Sequence, residues 1–357
     1  MSPHIEKSLT TDQHDIVDRL LALGRSLKTA RLSSWAEAHS PQDPRYDQGL
    51  ELIAQVDNFL QARINRHGRG SASPSSTSST EELASSHDAS DEDTSMSHRL
   101  AALSSLSQAL NTADPAAFLG IAVFAFFEVI SDRAFGEWDC HLRGARSLLD
   151  YHCRSSDELN VLSRRFTGLD EIVAYFGWWD TTSTIVRKST SSSNIGTQEG
   201  LIFDDWHRSV LGDDFFNRVG CPPETFWLFV SLAKGNGPAD SRERLTQAMS
   251  QLLKLGMDNT ERGKCVDVYR CAAAIAILTW PKLDVESDIP TSSTSSDITL
   301  TAAVDRICHI IESACPRSRF LAHMATPAYL AGTVKWEKFL AIRVRICSAK
   351  RDGKKEG

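Results

Sequence analysis

The stretch that decides the fold is PAAFLGIAVFAFFEVISDRAFGEWDCHLRGARSLLDY, residues 115–151. It predicts two helices joined by a short turn. The first, over 115–130, is apolar on every side apart from Glu128, and Asp114 and Pro115 are residues that favour a helix start. Because a helix without a polar face must be wrapped by others, and because the run is shorter than the about 20 residues that span a bilayer, we expect a buried central helix of a globular domain.

Helical periodicity continues through most of the chain. The helix that follows the turn, from about Glu137, places Trp138, Leu142, Ala145 and Leu149 on one stripe. Further helices are predicted over 100–110, 159–166, 169–186, 222–233, 242–255, 265–280, 300–311 and from Thr326 onward. No stretch alternates as a strand bounded by hairpin turns. The sequence therefore predicts an all-α, multi-helical fold.

The first 98 residues divide into a helical part and a polar part. Residues 1–67 predict a helical N-terminal arm of two helices, with apolar stripes at Ile16, Leu20, Leu23, Leu27 and at Ile53, Val56, Leu60, Ile64. The arm either docks on the main domain or stays an independent interaction arm, and the sequence leaves both open. Residues 68–98 are dominated by serine and acids, which predicts a disordered linker. A helical domain is expected over 99–347, with polar loops at 187–200 and 284–297, and a basic tail over 348–357.

Composition limits the classes of function. The chain has 357 residues, 41% of them hydrophobic, and a net charge of −7, which argues against a basic surface over the whole protein. No secretory signal and no transmembrane span are recognisable. The eight cysteines include no Cys-x-x-Cys pair, so we expect reduced thiols that behave as small buried hydrophobes, with neither a metal nor a cofactor predicted.

One motif carries a family resemblance. Trp138-x-x-His141-Leu142-x-Gly144-Ala145-x-x-Leu148-Leu149 resembles a signature of the fungal-specific transcription factor domain, the helical regulatory region of fungal binuclear zinc-cluster regulators. On this interpretation, Gly144 and Ala145 are small enough to let another helix approach closely. Further resembling segments follow in order: residues 165–175, Gly220-Cys221-Pro222, Tyr269-Arg270-x-Ala272-Ala273-x-Ile275 and Pro327-Ala328-Tyr329-Leu330-Ala331-Gly332.

The resemblance implies an orthogonally packed helical domain in a nuclear regulator or co-regulator of transcription that acts on a metabolic or biosynthetic pathway. It implies contacts with other transcription regulators or the transcription machinery. A small-molecule effector and a homo- or heterodimer stay open. Two departures stand out: Thr326 replaces the tryptophan usual before Pro327, and the zinc cluster is missing, since the first cysteine is Cys140. Contact with DNA is therefore expected to be indirect, or to need a cluster encoded upstream.

Alternatives from other classes are a non-catalytic scaffold protein and an all-α, magnesium-dependent isoprenoid or terpene synthase. The synthase hypothesis depends on the segment Asp213-Asp214-Phe215-Phe216-Asn217. Its paired acids and one more oxygen ligand resemble an aspartate-rich motif that binds magnesium-diphosphate. We expect Asp213 and Asp214 to cap a helix instead, as we do for Asp204-Asp205-Trp206-His207. No catalytic residue is predicted.

Three further features are interpreted structurally. Trp178 and Trp179 are expected to divide between the core and an interface. His141 is interpreted as a packing or hydrogen-bonding residue. The basic residues near the C-terminus favour nuclear import, phosphate contact or a solvated tail: Arg343, Arg345, Lys350, Arg351, Lys354 and Lys355.

Overall fold

A computed structural model of the chain is all-α over the residues that it describes, as the sequence predicts. These are most of 17–29, then 44–69, 81–130, 139–166, 168–190, 200–238, 240–256, 258–280, 293–315, 318–321 and 323–334. The segment 17–29 has helical backbone. The later helices are α1 (Pro44–Arg69), α2 (Glu81–Asn111), α3 (Ala117–Ile130), α4 (Asp139–His152), α5 (Ser156–Arg165), α6 (Leu169–Thr190), α7 (Asp205–Arg208), α8 (Asp213–Val219), α9 (Pro223–Ala233), α10 (Ser241–Leu252), α11 (Glu261–Thr279), α12 (Ser293–Ser313) and α13 (Ala325–Val334).

The chain forms two compact units. Unit 1 comprises residues 1–176 and 205–210, and unit 2 comprises residues 177–204 and 211–357. The boundary falls inside α6, a continuous helix whose sequence gives no sign of a break. The sequence instead predicts an arm over 1–67 and one domain over 99–347. The structure divides the chain differently, because compactness depends on long-range packing that no local pattern encodes.

The central helix of unit 1 is α3, as predicted. Every residue from 116 to 127 is buried. Phe59 of α1 packs on it, with ring centroids 5.9 Å from Phe124 and 5.1 Å from Phe127. A Cβ at Gly24 would lie 3.3 Å from Leu119, so the first helical segment also approaches α3. The N-terminal arm is therefore docked on this core, because a helix without a polar face needs cover on all sides.

Helix α2 begins inside the predicted linker. Residues 70–80 lie outside the described residues, but the backbone is helical from Glu81 onward, so residues 81–98 are helix in the structure. No proline or glycine occurs between Glu81 and Asn111, so no residue of this stretch interrupts a helix. Its C-terminal half packs into the core of unit 1 through the buried side chains of Ala102, Leu106 and Ala109.

Unit 2 is built around a second buried helix, α11. Residues 271–277 of α11 are all buried, and α11 packs against α9, α10, α12 and α13. Thr260 caps its start by accepting a hydrogen bond from the Gly263 N–H at 3.0 Å. The helix ends at Thr279, two residues before Pro281, which cannot continue it. None of the helices described here combines the length and apolar character that crossing a membrane requires.

Two expectations about the second predicted helix have different outcomes. Ala145 is fully buried in α4, as its small size suggests. At Gly144 an added Cβ would meet no described atom within 4 Å, so the close helix approach expected there is not found. The reason is that Gly144 lies towards the outer side of α4, next to exposed Arg143. Trp138 lies outside the described residues, as do Trp336, Phe339 and the basic tail.

Candidate protein-contact surfaces

The acidic pair suggested for a metal-diphosphate site lies on the exterior. Asp213 and Asp214 are exposed in the first turn of α8, and the N-cap is Gly212, so the predicted capping role is wrong in detail. The acids still lie where the helix dipole favours negative charge. Asn217 accepts a hydrogen bond from the Arg262 guanidinium, which occupies its side-chain oxygen with a cation. Within the described residues no group of three or more His, Cys, Asp or Glu side chains is arranged to hold a metal ion.

Trp178 and Trp179 have different environments, as predicted. Trp178 is buried in unit 2, where its ring stacks on Phe226 with a centroid distance of 5.5 Å and an interplanar angle of 16°. It also makes an edge contact with Tyr269 at 5.7 Å. Trp179 is half-buried. The aromatic cluster around Trp178 therefore belongs to the core, where such rings supply much of the buried apolar area.

The buried thiols of unit 2 are electrically neutral. Burial raises the pKa of the Cys271 thiol to about 12, and it raises the pKa values of Cys221 and Cys265 as well. In unit 1, burial and then the nearby Glu158 carboxylate raise the pKa of Cys153 to about 11. Because the thiolate is the nucleophile and the metal ligand, these four side chains behave as small apolar groups. For these four the expectation of small buried hydrophobes is confirmed, whereas Cys140 and Cys315 are exposed, contrary to it.

A glycine turn leads from α8 into α9. Gly220 has φ +69° and ends α8, donating its N–H to the Phe216 carbonyl oxygen at 2.9 Å. A Cβ built on Gly220 would lie 2.7 Å from Cys265 Sγ and 3.0 Å from the ring of Phe320. Only glycine fits this position without strain, because the backbone there is left-handed and an added side chain would meet α11.

A polar network joins the middle of α11 to neighbouring segments, and the sequence patterns did not reveal it. The buried Asp267 carboxylate accepts hydrogen bonds from the Gly256 N–H at 2.9 Å and from Arg306 of α12 at 2.9 Å. The Tyr269 hydroxyl donates to the His323 carbonyl oxygen at 2.6 Å. Burial, and then the neighbouring thiols, raise the pKa of Tyr269 well above its usual value. Charged and aromatic residues in an otherwise apolar helix could have indicated such a network. Their partners could not be identified, because they lie far away in the sequence.

A second missed feature is a run of buried polar residues in α6. Asp180 is fully buried, and its carboxylate accepts the N–H groups of Ile202 at 2.9 Å and Phe203 at 3.0 Å. The next four residues, 181–184, are buried hydroxyl side chains. Thr181 and Thr182 donate to carbonyl oxygens one turn earlier, each at 2.9 Å. Asp180 therefore fixes the backbone that follows the serine-rich segment 191–199, a structural role.

The histidines His141 and His207, which belong to the sequence patterns described above, lie in unit 1. Helix α7 begins at Asp205, whose carboxylate lies 3.5 Å from the buried Arg208 guanidinium. His207 is buried, and His141 is half-buried on α4. His152, which the sequence patterns did not single out, has its Nε2 atom 2.7 Å from the Ala113 carbonyl oxygen.

Among the described residues, exposed apolar side chains lie together on one helix in two places, while Tyr151, Val161, Trp227 and Ile298 are exposed elsewhere. The first, here called the α2 stripe, consists of four side chains on one side of α2: Met96 (48% exposed), Leu100 (60%), Leu103 (38%) and Leu110 (41%). The second, here called the α10 tip, consists of Met249 (47% exposed) and Leu253 (83%), four residues apart at the end of α10. Exposed apolar side chains grouped on one helix face are typical of protein contacts.

Comparison with known proteins adds no relative: no family model, curated protein or solved structure matches this chain. The function must therefore be argued from the residues themselves. Within the described part of the chain, the buried Asp180, Asp267 and Tyr269 side chains bond to other segments and so have structural roles. The exposed apolar groups are what remains for contact with other molecules.

Proposed function

We propose that this protein is a nuclear regulator or co-regulator of transcription, acting on a metabolic or biosynthetic pathway through contacts between its helical surfaces and other transcription proteins. The observation that carries the proposal is the ordered series of segments that resemble the fungal-specific transcription factor domain. The proposal includes no bond-making chemistry and no cofactor.

The positions of these segments support the proposal. Residues 139–149 of the signature segment lie in α4, where Leu142, Ala145, Leu148 and Leu149 are buried. The Tyr269–Ile275 part lies in α11, the centre of unit 2, and residues 327–332 lie in α13. Gly220 occupies a turn that requires glycine. These residues have packing roles in this chain, whereas Gly144 of the same signature has no described atom close to its Cβ position.

The α10 tip is the contact site that we propose for the partner. Leu253 follows the last residue of α10 and is exposed to a degree that is unusual for leucine. Met249 lies one turn earlier, and a flexible methionine adapts to partner surfaces. A partner from the transcription machinery would bury both side chains, and a few buried side chains at the centre of an interface commonly supply most of the binding free energy.

The test tethers the full chain to a promoter through a heterologous DNA-binding domain and measures a reporter. We expect a several-fold change in reporter output, which Leu253→Glu returns towards the baseline. Ile298→Glu is the matched control, because Ile298 of α12 is also strongly exposed and the substitution adds the same charge. Equal protein levels of the three forms would be confirmed by immunoblot.

Two outcomes would contradict the proposal. An unchanged reporter with the intact, nuclear fusion protein would favour the scaffold alternative. An exclusively cytosolic native protein, together with unchanged transcripts after gene deletion, would remove the regulatory role altogether. The synthase alternative has no geometric support, since the Asn217 oxygen is bonded to Arg262 and both aspartates lie on the exterior.

A further inference from the structure

The α2 stripe has the spacing of a helix-pairing seam. Met96, Leu100, Leu103 and Leu110 are separated by four, three and seven residues, which are the steps between a and d positions of a heptad repeat. Ser107 occupies the one intervening core position. The opposite side of α2 is already used, since Ala102, Leu106 and Ala109 are buried in unit 1. The stripe therefore faces outward with the pattern of one strand of a coiled coil.

We infer that the α2 stripe is a contact through which two copies of this chain associate. A seam of a and d residues is self-complementary, so a two-fold axis can bring the same stripe of each copy together. This contact is independent of the proposed function and holds for a regulator and a scaffold alike.

The charges along the seam favour a second copy over a charged partner. Residues 100–111 contain no charged side chain, and Arg99 is the one fixed charge between Met96 and Asn111. Ser97 and Ser104, which flank the seam, are small and neutral. With the two helices antiparallel, Leu100 of one copy faces Leu103 of the other and no acid of the seam lies beside an acid, whereas a parallel pair would place Asp93 of both copies at the next core position; the antiparallel arrangement is therefore the one that we infer. A strongly acidic or basic partner would find no complementary charges there.

The size of the seam sets the strength of the association. Fifteen residues from Met96 to Leu110 span about 22 Å of helix. A contact of this length belongs to the interfaces that bury less than about 1,200 Å², which are weak and reversible. We therefore expect a dimer whose population rises with concentration.

The test is sedimentation velocity of the full chain between about 1 and about 200 µM, the range in which reversible association of this kind is populated. The average mass of the wild-type chain should rise from that of one chain towards that of two. The variant Leu100→Glu/Leu103→Glu should stay monomeric, because four acids would meet in the seam. The matched control Val161→Glu/Ile298→Glu adds two acids at exposed apolar sites elsewhere and should associate like the wild type.

A second variant distinguishes direct contact from misfolding. Leu100→Lys/Leu103→Lys should also be monomeric alone, whereas a mixture with the glutamate variant should form the dimer again, since opposite charges then face each other. Circular dichroism should show equal helix content for all forms, because glutamate and lysine are good helix formers. A wild-type chain that stays monomeric over the whole range would overturn the inference. So would a dimer that both variants leave intact, or a mixture that fails to associate.

Discussion

Replacing Gly220 with alanine tests the close contact between the α8–α9 turn and α11. The new Cβ would lie 2.7 Å from Cys265 Sγ, and 3.0 Å from both Cys265 Cβ and the Phe320 ring. It would also hold alanine at φ +69°, where a side chain costs about 1–2 kcal/mol. Overpacking a buried site adds about 1–3 kcal/mol. We therefore expect Gly220→Ala to lower the free energy of unfolding by about 2–5 kcal/mol.

Gly235→Ala is the matched control. Gly235 has φ +79°, but a Cβ there would meet no described atom within 4 Å, so the backbone cost of about 1–2 kcal/mol is the expected effect. Both glycines lie in unit 2, which means that urea unfolding followed by circular dichroism reports the same cooperative transition for the two variants. Adding Cys265→Ala to Gly220→Ala should recover about 1 kcal/mol through removal of the Sγ contact. Equal losses for Gly220→Ala and Gly235→Ala would refute the reasoning.

Three further predictions concern buried ionisable groups. Asp267→Asn should lower the free energy of unfolding by about 2 kcal/mol, since it removes a charged acceptor and leaves the Arg306 guanidinium without its partner; Arg306 is partly exposed, which limits the loss. Urea titration checks this, and adding Arg306→Met should recover part of the loss. In maleimide labelling followed by mass spectrometry at about pH 8, exposed Cys140 should react first, because a pKa of about 11 makes the Cys153 thiolate about 100-fold scarcer than at 9.0. Faster labelling of Cys153 would contradict its burial. Above about pH 9 unfolded Cys271 loses its proton while the folded thiol, with its pKa raised to about 12, keeps it, so stability should fall by about 1.4 kcal/mol per pH unit for this group. Cys271→Ala should make the decrease in the free energy of unfolding with pH less steep, and an unchanged decrease would argue against the raised pKa.

The helical character of the chain was accessible from sequence because it depends on local periodicity. The apolar run at 115–130 predicted a wrapped central helix, and residues 116–127 are all buried. The small size of Ala145 predicted its burial correctly, and one ring of the Trp178–Trp179 pair lies in the core as predicted, although the sequence did not say which. By contrast, Gly144 carries no close contact, because size alone does not say which side of a helix a neighbour approaches. The start of α2 was also missed, since serine and acid content favours disorder while the absence of proline and glycine favours helix.

The candidate contact surfaces could be predicted only in part from the sequence. Leucines at heptad spacing over 100–110 are visible in the sequence, but whether they face a core or solvent depends on which side α2 turns towards unit 1. The same holds for the α10 tip, because the spacing of apolar residues in this segment does not indicate that Leu253 is 83% exposed and Met249 47% exposed.

By itself, the sequence determined the helical class, the central role of the 115–130 run, the helix-rich periodicity and the absence of a paired-cysteine motif, because these follow from neighbouring residues. Tertiary structure alone decided that the N-terminal arm docks on α3, that two units divide within α6, and that Asp267 joins Gly256 and Arg306. The physical reason is that such contacts join residues tens of positions apart. Their free energy depends on which surfaces meet, and one-dimensional spacing does not contain that information.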